Sequence, residues 1–392
     1  MPSAAAPNTV TPPQETVDVA VVGLGAFGTS IAWRLKARGA SVVGIERHTV
    51  PNTLGSSHGE SRILRVVTQN HTGLYPLAQL SRRLWIELQE AGSELLFQPT
   101  GGLAVGRAGL GRIAQTDAVA AAFGLAPRRL SAAELRAEFP IFASVPDDAV
   151  AIWDAGAGAL FPENCVQAAA TAARDLGAVL LENTEVVGHS FAADGTVRVE
   201  TSAGVVAARK VVYATGSWLA GRFPQLQLTP LRIPQTWFTS AGGPAPTVSE
   251  LPPFQYDLTD DDQGLWGLGA VDAGGPAKVG THGHPYRDRT VDVDNIDREV
   301  HQEDLDYLEE MMRRGFPTLD PVPARAIVCL LCESPDEQFT LGPIDDERVL
   351  VAGGESGQGF KHATGIGELV ADMCLGVDSA IDRDFMRADR VL

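Results

Sequence analysis

The sequence predicts an α/β protein, with a doubly wound domain joined to an antiparallel-sheet domain. Three observations predict it. An apolar run, Val17-Asp18-Val19-Ala20-Val21-Val22, leads into Gly23-Leu24-Gly25-Ala26-Phe27-Gly28 and then a helical stretch. A second glycine-rich segment, Gly353-Gly354-Glu355-Ser356-Gly357-Gln358-Gly359-Phe360-Lys361, follows another apolar run late in the chain. Between them, from about Pro224 to Asp262, the texture becomes Pro-, Thr- and Asp-rich, as in antiparallel strands and loops.

Each element has a local reason. Val17 to Val22 is short, apolar and ended by Gly, which reads as a buried parallel strand. Thr29 to Arg38 reads as a helix stopped by Gly39, and Ala40 to Ile45 as the next strand, with Glu46 at its tip. Helices follow over Leu74 to Ala91, closed by Gly92, and Glu163 to Asp175, with Gly177 beyond. Val179 to Val187, Val197 to Thr201 and Lys210 to Tyr213 read as strands, the last running into Ala214-Thr215-Gly216. Glu303 to Arg314 is a helix with acids early and Arg313 and Arg314 in its last turn, as the macrodipole favours. Val349 to Ala352 is a last strand, with a helix over Gly365 to Leu375 behind it. The cofactor segments are interleaved with other material. Residues 16–92, 150–222 and 322–392 are therefore expected to form a discontinuous Rossmann-like domain. Residues 93–149 and 223–321 are expected to form the substrate domain, and 1–15 a disordered tail.

At 392 residues the chain is long enough for two domains and a large core. Its net charge of −18 argues against nucleic acid and anionic membrane surfaces as partners. No apolar run approaches the ~20 residues of a membrane span. The first fifteen residues lack the basic start and apolar core of a signal peptide. Four irregularly spaced cysteines fit a reducing compartment without a disulfide framework. A cytoplasmic protein acting on a small molecule is the expectation.

The first glycine motif has a mechanism. Gly23 permits the tight turn, Gly25 lets backbone approach a pyrophosphate, and Gly28 lets helix pack on strand. The helix N-terminus then faces the phosphates, and Glu46, about twenty residues on, accepts from ribose hydroxyls. The late return to glycine-rich backbone points to one long cofactor, FAD. Gly357, Gly359 and Lys361 either put N–H groups and a cation beside that ligand or simply lead into a helix. Ser57 and Glu60 fit a capping box, which predicts a short helix carrying His58, Arg62 and Arg65 on one face. That face serves an anion or a reduced flavin, or it is a solvated basic surface; spacing alone rates the two equally. Cys329 and Cys332 form a CxxC with no second pair for zinc and no thioredoxin-type context, so both read as buried inert thiols. Lys278, among glycines and apolar residues with His282 nearby, is either a buried functional lysine or an exposed ordinary one.

These residues carry a resemblance. The chain resembles the family of FAD-dependent amine oxidases that includes monomeric sarcosine oxidase, N-methyltryptophan oxidase and pipecolate oxidase, over nearly its whole length. The resembling segments are Val19 to Gly28, Gly55 to Arg65, Leu160 to Cys165, Val211 to Trp218, Cys329 to Phe339 and Gly353 to Gly367. The resemblance implies that Cys329 holds the flavin covalently through its 8α-methyl, while Cys332 keeps no such role. It implies that Arg65 and Lys361 grip a substrate carboxylate, that His58 and Arg62 line the flavin ring, that Lys278 serves the reaction with dioxygen, and that His282 belongs to the substrate pocket. Arg47, Ser56, Val186, Thr215 and Gly216 are further cofactor positions. The implied reaction oxidises a carboxylate-bearing secondary amine to an imine with formation of hydrogen peroxide, in a monomer.

Departures bear on the substrate. Leu331 stands where sarcosine-type enzymes carry a tyrosine, Trp266 where another pocket tyrosine is expected, and Asn70 where an acid is expected. These changes predict a substrate bulkier or more apolar than sarcosine. Three other readings stand beside this one: a dehydrogenase of the same fold, a biosynthetic tailoring oxidase of a cyclic amine or imine, and a flavin-binding protein without catalysis. Joint retention of Arg65, Lys278, Cys329 and Lys361 speaks against the last.

Overall fold

The computed structural model describes residues 11–240, 243–257, 259, 263–282 and 290–391. Most of the expected tail, residues 1–10, lies outside the described residues, and 11–15 form neither helix nor strand.

Val17–Val22 lies between Val42–Ile45 and Gly204–Tyr213, parallel to both. Val179–Leu181 adds beyond Val42–Ile45, and Asp346–Gly353 pairs in parallel with the last residues of Gly204–Tyr213. Both faces of this sheet are covered, which explains the continuous apolar runs. Val19 and Val21 enter one core with helices Ala26–Ala37, Pro162–Asp175 and Gly359–Leu375, and Leu74–Glu90 packs on the same layer. Ala20 and Val22 enter the other core, with Tyr213, Phe223 and Leu226. The period-2 alternation of a strand thus serves two cores at once.

The second sheet has eight strands. Their order is Arg325–Glu333, Thr229–Phe238, Ala277–His282, Gly264–Leu268, Phe254–Asp257, Gly102–Arg107, Ala149–Asp154 and Arg128–Ser131. All neighbours are antiparallel except Phe254–Asp257 against Gly102–Arg107, which are parallel, so the sheet is mixed. Ala149–Asp154 and Arg325–Glu333 pair in this sheet, although the sequence division gives residues 150–222 and 322–392 to the cofactor domain. One face packs Phe254, Tyr256, Leu265 and Val279 against helix Gln302–Gly315. The opposite face meets the segment around residues 55–65.

Three local expectations are corrected. The helix expected from Ser57 is absent: Arg62–Leu64 is a strand antiparallel to Gly158–Leu160. Ser57 Oγ accepts from Ala26 N at 3.0 Å, and Glu163 Oε1 accepts from Gly59 N at 2.6 Å. These long-range partners satisfy groups that a helix cap would have used. His58, Arg62 and Arg65 therefore share no helix face. The last helix begins at Gly359, six residues before the expected start, so the glycine segment forms its first turn. The strand expected over Val179 to Val187 is two, Val179–Leu181 and Val186–Phe191.

Candidate active site

A groove runs along the edge of the first sheet where its central strands end. Gly23, Gly25, Glu46, Arg47, Ser56, Val186, Thr215, Gly216 and Gly359 all lie on its walls. Gly28 stands behind it: a Cβ there would sit 1.7 Å from the carbonyl oxygen of Gly23, so the turn closes on the helix only without a side chain. The Glu46 carboxylate accepts from Leu24 N at 2.8 Å and His48 N at 3.0 Å. It thereby ties the tip of the second strand to the glycine turn.

Strand register assembles the rest. Ile233 pairs with Cys329, Trp237 with Lys278, Gly280 with Trp266, and Trp266 with Gln255. Paired residues point to the same face, and so do residues two apart on one strand. Cys329, Leu331, Gln235, Lys278, His282, Trp266 and Gln255 therefore share one face of the second sheet. Cys332, three residues from Cys329, points the other way and joins the apolar core. A Cβ on Gly280 would sit 2.7 Å from the indole of Trp266, so that ring lies over bare backbone. The indole Nε1 donates to Thr281 O at 3.0 Å.

Two clusters form on this face. In the first, Lys278 is 2% exposed. Its Nζ donates to Gly59 O at 2.8 Å, Ser61 O at 3.0 Å and Gln235 Oε1 at 2.6 Å. Burial, then the nearby Arg62 guanidinium, hold the lysine well below its usual range. Arg62 donates to Ser56 O, Ser61 O and Gln235 Oε1 and touches the Cys329 thiol. Burial and then Arg62 lower His58 to about 4, so its imidazole is neutral at pH 7, and its Nε2 has no partner.

In the second cluster, Arg65 donates to Thr68 O at 3.0 Å and to Gln255 Oε1. Burial first, then Arg112, lower it to about 9. Lys361 is buried and donates to Gln358 O at 3.1 Å; burial, Arg65 and Arg112 together hold it well below its usual range. His282 Nε2 lies 2.9 Å from Asp257 Oδ1, and burial holds this imidazole below its usual value against the pull of Asp257. Asn70 Oδ1 accepts from Arg112 at 2.9 Å. Leu331 lies against Gly357, where an added Cβ would come within 3.3 Å of its side chain. Concentrated, desolvated positive charge of this kind suits an anionic ligand.

The model of the FAD dependent oxidoreductase (DAO) family matches residues 18–373. The chain belongs to this family. It is 33% identical over 370 residues to monomeric sarcosine oxidase of Streptomyces avermitilis, covering 92% of this chain and 94% of that protein. It is 29% identical over 370 residues to N-methyl-L-tryptophan oxidase of Yersinia pestis, covering 93% and 96%. A solved structure of a Tyr258Phe mutant of NikD, an amino acid oxidase essential for nikkomycin biosynthesis, superposes with a TM-score of 0.81. It has 25% identity and covers 95% of this chain and 97% of that one.

The groove fits the FAD that this oxidoreductase family implies. Ser217 and Glu355 line it, and their Oγ and Oε2 atoms are buried without a hydrogen-bond partner. Sequence reasoning missed Gln235, Gln255, Glu163 and Asp154. Gln235 bridges Lys278 and Arg62, Gln255 holds Arg65, and Glu163 clamps the Gly59 turn. Asp154 Oδ2 accepts from Val66 N at 2.7 Å and Val67 N at 2.8 Å, fixing the turn after Arg65. Gln235 and Gln255 lie in no motif, so only their strand positions near Cys329, Lys278 and Trp266 carried a signal, whereas Glu163 falls in the resembling segment Leu160 to Cys165 and opens a helix.

Proposed function

We propose that this protein is an FAD-dependent oxidase of a carboxylate-bearing secondary amine, an N-methyl or cyclic amino acid, releasing an imine and hydrogen peroxide. One observation carries the reading: from one face of the mixed sheet Gln235 holds Lys278 and Arg62 while Gln255 holds Arg65, whose charge acts on Lys361. FAD held along the groove by Gly23, Gly25, Glu46 and Gly359 would supply the two-electron acceptor for this oxidation. Arg65 and Lys361 anchor the substrate carboxylate, and two charge-assisted contacts fix the adjacent carbon in position. Arg62 and Lys278 provide positive charge where negative charge develops. Cys329, beside Arg62, is the position for covalent attachment of the flavin. His282, held by Asp257 and neutral through burial, is placed to take the proton that an amino acid amine must lose before it reacts.

Leu331 and Trp266 give the pocket apolar walls and support a substrate larger than sarcosine. Electron transfer to a protein or quinone is the competing reading, and Lys278 separates the two. In Lys278→Met, anaerobic flavin reduction by substrate stays within about tenfold of the parent, while reoxidation by dioxygen slows by about 100-fold or more. Equal losses in both half-reactions, or no peroxide from the parent enzyme, contradict the oxidase. We infer that the protein works as a monomer, which sedimentation of the holoenzyme tests.

A further inference from the structure

Glu355 is the one acid of the groove's glycine-rich segment that the proposed chemistry leaves without a task. It lies between strand Asp346–Gly353 and helix Gly359–Leu375 and lines the groove with Ser56, Gly216 and Gly359. The Ser56 hydroxyl bonds its carboxyl, and a Cβ added to Gly216 would lie 3.8 Å from Oε1. Oε2 is buried and has no partner. Among the described residues no lysine, arginine or histidine acts on this carboxyl. The titratable side chain coupled to it is the Cys332 thiol of the Arg325–Glu333 strand, which burial keeps neutral. The helix N-terminus at Gln358 favours an anion. Burial prevails and raises the carboxyl to about 7.

A diphosphate brings fixed negative charge and only accepts hydrogen bonds. A carboxylate in the same groove repels it, whereas a carboxylic acid donates to it. We propose that Glu355 contacts FAD as a neutral acid, its carboxyl O–H donating to a diphosphate oxygen, so that cofactor binding above neutral pH takes up a proton from solvent. This inference rests on the FAD reading of the groove. No covalent bond of the cofactor changes in this step. The sign follows from linkage: the bound state holds the proton more tightly than the free state, so affinity falls as pH rises above neutrality.

The test uses Cys329→Ser protein loaded with FAD, in which dissociation is measurable through the fluorescence of released cofactor. The dissociation constant rises by up to about tenfold per pH unit between pH 7 and 9. Glu355→Gln donates from its amide at every pH and flattens that profile. Infrared spectra of the parent holoenzyme supply a second readout, a protonated-carboxyl band that Glu355→Gln removes. An unchanged pH slope in Glu355→Gln, a flat profile in the Cys329→Ser parent, or no such band overturns the proposal. Absence of FAD binding at any pH overturns the cofactor reading and this inference with it, and that result is distinct from tight, pH-independent binding.

Discussion

The two buried lysines are opposite cases of one problem. An ammonium removed from water costs several kcal/mol unless its donors are met. Lys278 has three oxygen acceptors within 3.0 Å, whereas Lys361 has one, Gln358 O, at 3.1 Å. Lys361→Met therefore stabilises the fold by about 1 kcal/mol, since an apolar chain of similar length suits the site better than an under-paired charge. Lys361 is held below its unfolded value, so the unfolded chain binds its proton more tightly and the native state is disfavoured below that value. The gain in Lys361→Met thus grows as pH falls below the lysine's ordinary value and vanishes above it. The same variant raises KM for a carboxylate substrate by about 100-fold. Lys278→Met destabilises by about 1–3 kcal/mol instead, because Gly59 O, Ser61 O and Gln235 Oε1 each lose one of two donors, keeping only Ser61 N or Arg62. Thermal melts of both variants across pH check the contrast, and stabilisation by Lys278→Met would refute it. Sequence left Lys278 open between a buried functional lysine and an exposed one. Its burial depends on a turn near residue 59 and on Gln235, which no local pattern connects.

At the scale of elements, the first glycine turn was legible because its physics is local. A strand, a turn without side chains and a helix N-terminus occur in consecutive residues. Gly28→Ala places a Cβ 1.7 Å from Gly23 O. It should cost about 2–4 kcal/mol, in the range of severe overpacking, and yield protein depleted in FAD. Full flavin content with unchanged melting would show that the contact relaxes freely. The segment at Ser57 was misread for the converse reason. Its capping-box pattern is local, but Ala26 N and Glu163 occupy the groups that would have capped the helix. Strand partners of high sequence separation, such as Ile233 with Cys329, likewise leave no trace in spacing. That is why spacing made Cys329 and Cys332 alike, while alternation along their strand sends one to the site and the other to the core.

At the scale of the molecule, two sheets divide the labour. The first sheet, parallel at its centre, builds the groove, and one face of the second sheet carries cysteine, lysine, histidine and tryptophan toward it. Interleaved segments make this possible, because the chain returns to the first sheet after building the second. No helix among the described residues is long and apolar enough to cross a membrane. The groove was legible from the two glycine segments, and family membership from the six resembling segments spread over the chain. The amide bridges and the clustering of Arg112 with Arg65 and Lys361 required the fold. The central claim is that the positive cluster selects an amine bearing a carboxylate. The most direct measurement is anaerobic mixing of the purified holoprotein with sarcosine, N-methyl amino acids, proline and pipecolate, each beside its decarboxylated counterpart, while following flavin absorbance. The account predicts bleaching by at least one carboxylate-bearing amine and none by its decarboxylated partner. Equal bleaching by the two, or bleaching by neither across the panel, would contradict it.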